Sequence, residues 1–79
     1  NSMANVTIYT TPMCVYCKMT KEFFKEHNVP YMEKDVEGDV TAREEMVQKS
    51  GQMGVPVIDI DGELVVGFDK ERLLELFKI

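Results

Sequence analysis

The sequence lacks tryptophan and has only two cysteines and one histidine. Two cysteines are too few for the dense disulfide framework of a small secreted scaffold. No apolar run approaches the roughly 18 residues of a membrane-spanning helix, and the N-terminus has no signal-peptide pattern. We therefore predict a cytoplasmic protein that has no membrane partner.

Basic residues are also scarce, with 9 Lys and Arg against 14 Asp and Glu, for a net charge of -5. The deficit is concentrated in residues 35–79, which carry 11 acidic and 5 basic side chains. A nucleic-acid-binding surface requires clustered positive charge, so we predict no nucleic-acid partner.

The length and composition fit one small domain, since 79 residues, 44% of them apolar, suffice for a single hydrophobic core. We predict that this domain spans residues 3–79. Asn1 and Ser2 precede Met3 and are interpreted as a remnant of recombinant expression.

Hydrophobic periodicity and turn residues predict the element order β-α-β-α-β-β-α. The predicted strands are Val6–Thr10, Tyr31–Asp35, Val57–Ile60 and Glu63–Val66, and the predicted helices are about 14–26, 41–50 and 70–77. Asp61 and Gly62 suit the tight turn of a hairpin between the last two strands.

Local signals also predict how the helices begin and pack. Thr41 to Glu44 fits a capping box at the start of the second helix, and Asp69 fits the N-cap of the third. We expect Met19, Phe23 and Phe24 to pack into the core from the first helix. Glu45 and Lys49 are expected on the exposed side of the second helix, and Leu73, Leu74 and Phe77 are expected to face inward from the third.

Both cysteines lie in the run Cys14-Val15-Tyr16-Cys17, between a predicted strand and a predicted helix. A sulfur at the start of a helix lies beside free backbone N–H groups, which favour the thiolate. Cys17 follows one turn later, close enough to resolve a mixed disulfide formed at Cys14, and should be the more buried sulfur. The pattern favours a dithiol that cycles with a disulfide.

Two other interpretations of the cysteine pair carry less weight. A structural disulfide closing so short a loop would contribute only about 2 kcal/mol, compared with about 3 for a fifteen-residue loop. A structural zinc ion or an iron–sulfur cluster normally takes four ligands, whereas His27 is the only other soft donor nearby. Metal binding would therefore require a second chain.

Three motifs make the sequence resemble the glutaredoxin family from about Val6 to Phe77. Cys14-Val15-Tyr16-Cys17 is similar to the family's Cys-Pro-Tyr-Cys, and Gly54-Val55-Pro56 is similar to its Thr-Val-Pro. Val66-Gly67-Phe68-Asp69 occupies the place of its Gly-Gly-Cys-Asp turn. The resemblance implies an α/β protein with a thioredoxin-like fold, in which three helices pack on a four-stranded mixed sheet.

The resemblance also implies a substrate site and a reaction. Cys14 and Cys17 would reduce disulfide-containing or glutathionylated proteins, with glutathione as co-substrate and no tightly bound cofactor or metal. A cis bond before Pro56 would present the backbone of Val55 to a cysteinyl peptide. Asp69 would bind the γ-glutamyl end of glutathione. The remaining substrate-binding residues would be Thr11, Tyr16, Gln52, Gly67 and Phe68.

Several positions depart from the family pattern and leave alternatives open. Val15 replaces proline, Gly54 replaces threonine, and Thr11 replaces a lysine that would pair with the glycyl carboxylate of glutathione. Gln52 is then the uncharged candidate for that carboxylate. Residues 9–14 and the pair Gly67-Phe68 also resemble redoxins that donate electrons to ribonucleotide reductase and are recharged by thioredoxin reductase. A monomeric enzyme is expected, and a dimer sharing a metal or an iron–sulfur cluster is the alternative from a different class.

Overall fold

The computed structural model describes residues 5–79, so the interpretation of Asn1 and Ser2 lies outside the described part of the chain. One mixed sheet is formed in the order β2-β1-β3-β4. Its strands are β1 (Val6–Thr10), β2 (Met32–Asp35), β3 (Val57–Ile60) and β4 (Glu63–Val66). The helices are α1 (Val15–Glu26), α2 (Val40–Ser50) and α3 (Lys70–Phe77). The predicted element order and fold class are confirmed, although β2 begins one residue after the predicted Tyr31.

Strand β1 lies inside the sheet, parallel to β2 and antiparallel to β3. A parallel pair requires a crossover connection, and α1 provides it between β1 and β2. The residues after the end of β1 lead directly into α1. This junction contains the two cysteines.

Side chains that alternate along the strands form two hydrophobic clusters, one on each face of the sheet. Ile8 and Ile58 belong to the cluster that includes Phe23 and Phe24 of α1 and Leu73 of α3. The other cluster packs residues of the sheet against α2, and its buried members are Tyr9, Val36, Ala42, Met46 and Val57. The sheet is therefore covered on both faces, and the inward position predicted for Leu73 is confirmed.

The structure corrects the start of α2. Asp39 is the N-cap residue, and its carboxylate accepts a hydrogen bond from the Ala42 backbone N–H at 3.2 Å. The predicted capping box at Thr41 is therefore wrong, because Asp39, directly before the first helical residue, already accepts the Ala42 N–H, and aspartate caps slightly better than threonine. The predicted N-cap Asp69 of α3 is confirmed by its hydrogen bond from Arg72 N–H at 3.1 Å.

Two predictions about side-chain environment are also corrected. Met19 is 42% exposed, whereas Phe23 and Phe24 are buried as predicted. The buried residues of α1 are Cys17, Thr20, Phe23 and Phe24, so the covered face runs along this row from the first turn onward and Met19 lies beside it. Glu45 is half-buried instead of solvated, because it turns toward the hydroxyl of Tyr9.

None of the helices within residues 5–79 combines the length and the apolar character needed to cross a membrane.

Candidate active site

Cys14 and Cys17 form a disulfide at the beginning of α1, with their Cα atoms 5.2 Å apart. Cys14 is the N-cap residue, and its sulfur accepts a hydrogen bond from the Cys17 backbone N–H at 3.0 Å. Cys17 is 1% exposed, while Cys14 is partly exposed. The predicted difference in burial is confirmed, and Cys14 is the more exposed residue of the pair.

The same N-cap position would favour the ionised form of Cys14 after reduction. The N–H group that bonds its sulfur is one of the four that a helix start leaves without an intrahelical partner. These groups and the helix dipole stabilise a thiolate more than a thiol. The geometry therefore favours Cys14 as the nucleophile of the pair.

The segment Val55-Pro56 faces the first cysteine, and the bond between its residues is cis. The carbonyl oxygen of Val55 lies 3.9 Å from the sulfur of Cys14. In the disulfide this sulfur carries no proton, so the approach is a contact and not a hydrogen bond. The N–H group of Val55 has no hydrogen-bond partner within residues 5–79. The backbone of Val55 thus lies beside the Cys14 sulfur with its N–H group unpaired in the described part of the chain.

Gly67 ties the turn before α3 to this segment. Its N–H group donates to the carbonyl oxygen of Pro56 at 2.8 Å, and its φ angle of 85° lies in the left-handed region that favours glycine. The next residue, Phe68, packs edge-to-face on Phe23 with ring centroids 6.1 Å apart. The third motif of the sequence is therefore fixed beside the second.

The other predicted site residues have varied surroundings. Thr11 accepts a hydrogen bond from Cys14 N–H at 3.3 Å through its carbonyl oxygen, and Asp69 is exposed at the start of α3. Tyr16 is 60% exposed, and its carbonyl oxygen accepts a hydrogen bond from the buried hydroxyl of Thr20 at 2.7 Å. The side-chain amide of Gln52 is already occupied by neighbouring groups of the chain.

Large apolar side chains are exposed around the cysteine pair. They are Met13 (85%), Val15 (64%), Tyr16 (60%) and Met19 (42%). Exposed apolar groups that cluster in this way are typical of surfaces that bind another molecule. Met13, which directly precedes Cys14, is not among the predicted site residues.

An ion pair near the end of β1 was also missed. The buried Thr10 donates a hydrogen bond from its hydroxyl to the Glu33 carboxylate at 2.8 Å, and Lys21 of α1 donates to the same oxygen at 2.8 Å. The hydrogen bond from Lys21 holds the pKa of Glu33 below its usual value. No local sequence signal joins these residues, because they come from three different elements.

On the other face of the sheet, Tyr9 forms the centre of a polar cluster. Its hydroxyl donates to the carboxylate of Glu45 and accepts from the Lys49 ammonium at 3.1 Å. Lys34 also donates to Glu45, at 2.8 Å, and Lys49 donates to Asp59 at 2.8 Å. Burial, with the hydrogen bond to Glu45, raises the pKa of Tyr9. The cluster connects α2 to three strands of the sheet.

Within residues 5–79 there is no group of three or more His, Cys, Asp or Glu side chains arranged to hold a metal ion.

Comparison with known proteins assigns the family. The glutaredoxin family model matches residues 6–65. A glutaredoxin-like 8.6 kDa protein of the rubredoxin operon of Clostridium pasteurianum is 45% identical over 73 residues, which are 92% of this chain and 97% of the relative. Glutaredoxin 3 of Escherichia coli is 40% identical over 67 residues, which are 85% of this chain and 81% of that protein.

A further relative and a solved structure agree with this assignment. The glutaredoxin-like protein NrdH of Lactococcus lactis is 32% identical over 74 residues, which are 90% of this chain and 97% of that protein. The crystal structure of a glutaredoxin from Archaeoglobus fulgidus is 29% identical and has a TM-score of 0.86, with 99% of this chain and 90% of that one covered. With its cysteine pair at the start of α1 and its thioredoxin-like sheet, the chain belongs to the glutaredoxin family of thiol–disulfide oxidoreductases.

Proposed function

We propose that this protein reduces protein disulfides and glutathione mixed disulfides through Cys14, with glutathione as co-substrate and no tightly bound cofactor. The observation that carries the proposal is the setting of the Cys14 sulfur. The sulfur accepts a hydrogen bond from a backbone N–H group at the start of α1, and it lies 3.9 Å from the Val55 carbonyl oxygen. Cys14 itself is partly exposed.

The chemistry is two successive exchanges of sulfur partners. The Cys14 thiolate attacks one sulfur of the substrate disulfide, the substrate S–S bond breaks, and the leaving thiolate takes a proton from water. The Cys17 thiolate then attacks the Cys14 sulfur and releases the second substrate thiol. Cys14 and Cys17 end as the disulfide, and two electrons from two glutathione thiols restore the dithiol. Alternatively, one glutathione attacks the mixed disulfide in place of Cys17.

A peptide substrate would bind to the backbone of Val55. An extended cysteinyl peptide that pairs with the N–H and C=O groups of Val55 would bring its sulfur to Cys14, as in the addition of a strand to a sheet edge. The exposed apolar side chains of Met13, Val15 and Tyr16 would cover the flanking residues of a protein substrate.

Glutathione would occupy the same backbone unit and extend toward α3. Asp69 is exposed there and would pair with the ammonium of the γ-glutamyl end, while N–H groups at the start of α3 would receive its carboxylate. Gly67 donates its N–H group to Pro56, and Phe68 directly precedes Asp69, so both residues would line this path.

A second candidate is a redoxin that thioredoxin reductase recharges and that reduces ribonucleotide reductase. Thr11 offers no positive charge for the glycyl carboxylate of glutathione, and the Gln52 amide is engaged within the chain. Both observations favour a lower affinity for glutathione. The similarity to the NrdH protein of Lactococcus lactis supports this alternative.

A paired turnover assay tests the proposal. One reaction contains glutathione, glutathione reductase and NADPH, the other contains thioredoxin reductase and NADPH, and both use the same protein disulfide. We expect sustained NADPH oxidation in the glutathione reaction. Turnover only with thioredoxin reductase would overturn the glutathione linkage and support the second candidate, and no reaction of the reduced protein with any disulfide would overturn both.

A further inference from the structure

The side chain of Gln52 bridges both backbone groups of Gly54. Its Oε1 accepts a hydrogen bond from Gly54 N–H at 2.8 Å, and its Nε2 donates to the Gly54 carbonyl oxygen at 3.1 Å. Its Nε2 also donates to the hydroxyl oxygen of Ser50 at 3.1 Å. A single amide thus fixes the residue that directly precedes Val55.

This bridge depends on glycine at position 54 because of space. A Cβ atom at Gly54 would lie 2.8 Å from Oε1 of Gln52, closer than real Cβ contacts allow. Gly54 is not one of the residues with positive φ, so its backbone would accept alanine. A side chain at position 54 would therefore displace the Gln52 amide without straining the backbone of Gly54.

The bridge is anchored to rigid parts of the fold. Ser50 donates from its hydroxyl to the carbonyl oxygen of Met46 at 2.7 Å, and Met46 is fully buried on α2. On the other side of the segment, Gly67 N–H holds the carbonyl oxygen of Pro56 at 2.8 Å. Residues 54–56 are thus held from the end of α2 and from the turn before α3, with Val55 between the two attachments.

We propose that Gln52 is a positioning residue that acts through Gly54 to hold the backbone of Val55 in register with Cys14 for peptide disulfides. This inference rests on the proposed function, because it assumes that a substrate peptide pairs with Val55. It assigns Gln52 a role in holding the chain itself, different from the direct contact with glutathione that the sequence suggests. Gly54, in the place of threonine, is the partner that makes this role possible.

The test compares two substrates in single-turnover reactions of the reduced protein. One is the disulfide-linked dimer of a short cysteinyl peptide, and the other is hydroxyethyl disulfide, which has no peptide backbone. The second-order rate constants are measured by acid quenching and chromatography. For Gln52→Ala and for Gly54→Ala we expect the peptide-to-hydroxyethyl rate ratio to fall by about 2- to 10-fold, the range of one net hydrogen bond.

The double variant should lose no more than either single variant, since each change removes the same bridge. The matched control is Gln48→Ala, at an exposed glutamine of α2 that makes no side-chain hydrogen bond within residues 5–79. It should keep the wild-type ratio. A general loss of stability lowers both rates together and leaves the ratio unchanged, so it does not imitate the predicted result.

An unchanged ratio in Gln52→Ala, or additive losses in the double variant, would overturn the positioning role. A different result would overturn the proposed function, namely that the reduced wild-type protein does not react with disulfides. The positioning role is instead overturned by the rate ratios of the variants, measured while the wild-type protein is active.

Discussion

The sulfur of Cys14 lies 3.9 Å from the backbone oxygen of Val55, a residue 41 positions further along the chain. The sheet brings them together, because β1 leads into Cys14 while the neighbouring β3 begins directly after Val55-Pro56. The sulfur of Cys14 and the backbone of Val55 therefore lie at the same end of these two neighbouring strands. Cys14 combines this contact with partial exposure, whereas Cys17 is buried, so the two cysteines differ in their surroundings.

Replacement of each cysteine by serine should separate their roles. Cys14→Ser should abolish turnover of every disulfide substrate, because the buried Cys17 cannot reach a substrate sulfur. In Cys17→Ser, no second thiolate of the protein can release the substrate from Cys14. A mixed disulfide on Cys14 should therefore accumulate when no other thiol is present. Intact-mass measurement after mixing with a peptide disulfide detects that adduct, and added glutathione should remove it. Full activity of Cys14→Ser would contradict the assignment of the nucleophile.

Asp69 and Asp39 form a matched pair, because both are N-cap residues whose carboxylates accept the backbone N–H three positions on. Replacing either by alanine should lower the free energy of unfolding by about 0.5–2 kcal/mol. Only Asp69→Ala should also raise the KM for glutathione mixed disulfides, since only Asp69 lies next to Gly67-Phe68. Urea unfolding and steady-state kinetics measure the two effects. Equal KM values for the two variants would leave Asp69 with a capping role alone.

Much of the fold could be predicted because its signals are local. The dipeptide Asp61-Gly62 identifies the hairpin, and the N-cap aspartate and the apolar positions of α3 identify the last helix. The start of α2 was missed because Asp39 and Thr41 are both acceptable N-cap residues. Only the folded backbone decides which side chain accepts a hydrogen bond from an N–H group of the helix. Met19 was misplaced because periodicity shows which face is apolar but not how far the sheet covers it.

The site was predictable to the extent that its motifs are contiguous in sequence. The cysteine pair and the Val55-Pro56 segment were found in this way. The bridge from Gln52 to Gly54 was not, because glutamine has no strong local preference and its hydrogen bonds depend on side-chain packing. The contact of Thr10 with Glu33 requires β2 to pair in register beside β1, which no sequence pattern specifies.

Gly67 and Gly62 provide a second matched pair, with φ angles of 85° and 94° and no atom within 4 Å of an added Cβ. Alanine at either position should lower stability by about 1–2 kcal/mol, the cost of a left-handed backbone with a side chain. Gly67→Ala should also slow the reduction of peptide disulfides, because the strained backbone would weaken the hydrogen bond from the N–H group of residue 67 to the Pro56 carbonyl oxygen. Gly62→Ala lies in the hairpin turn and should leave that rate unchanged. Equal rates for both variants would show that Gly67 does not support the site.

The polar cluster around Tyr9 predicts how acid destabilises the fold. Hydrogen bonds from Lys34 and then Tyr9 hold the pKa of Glu45 below its ordinary value of 4.5. Folding therefore favours the ionised form of Glu45. Its contribution to stability is complete above the ordinary value and is lost as the pH falls through the lower folded value. The urea midpoint should thus stay level from about pH 8 to about pH 6 and decline below about pH 4.5.

Glu45→Gln should make this acid decline shallower, because glutamine still accepts hydrogen bonds from Tyr9 and Lys34 but has no charge to neutralise. Part of the decline should remain. Burial raises the pKa of Asp59, but the hydrogen bonds from Lys49 and from the Gly62 N–H, together with the positive charge of Lys49, outweigh it and lower the pKa of this carboxyl as well. Glu44→Gln is the control, because Glu44 is exposed on the same helix and has no ion pair within residues 5–79. Its urea midpoints should follow the wild-type curve at every pH. An acid decline as steep in Glu45→Gln as in the wild-type protein would show that Glu45 contributes nothing to the pH dependence.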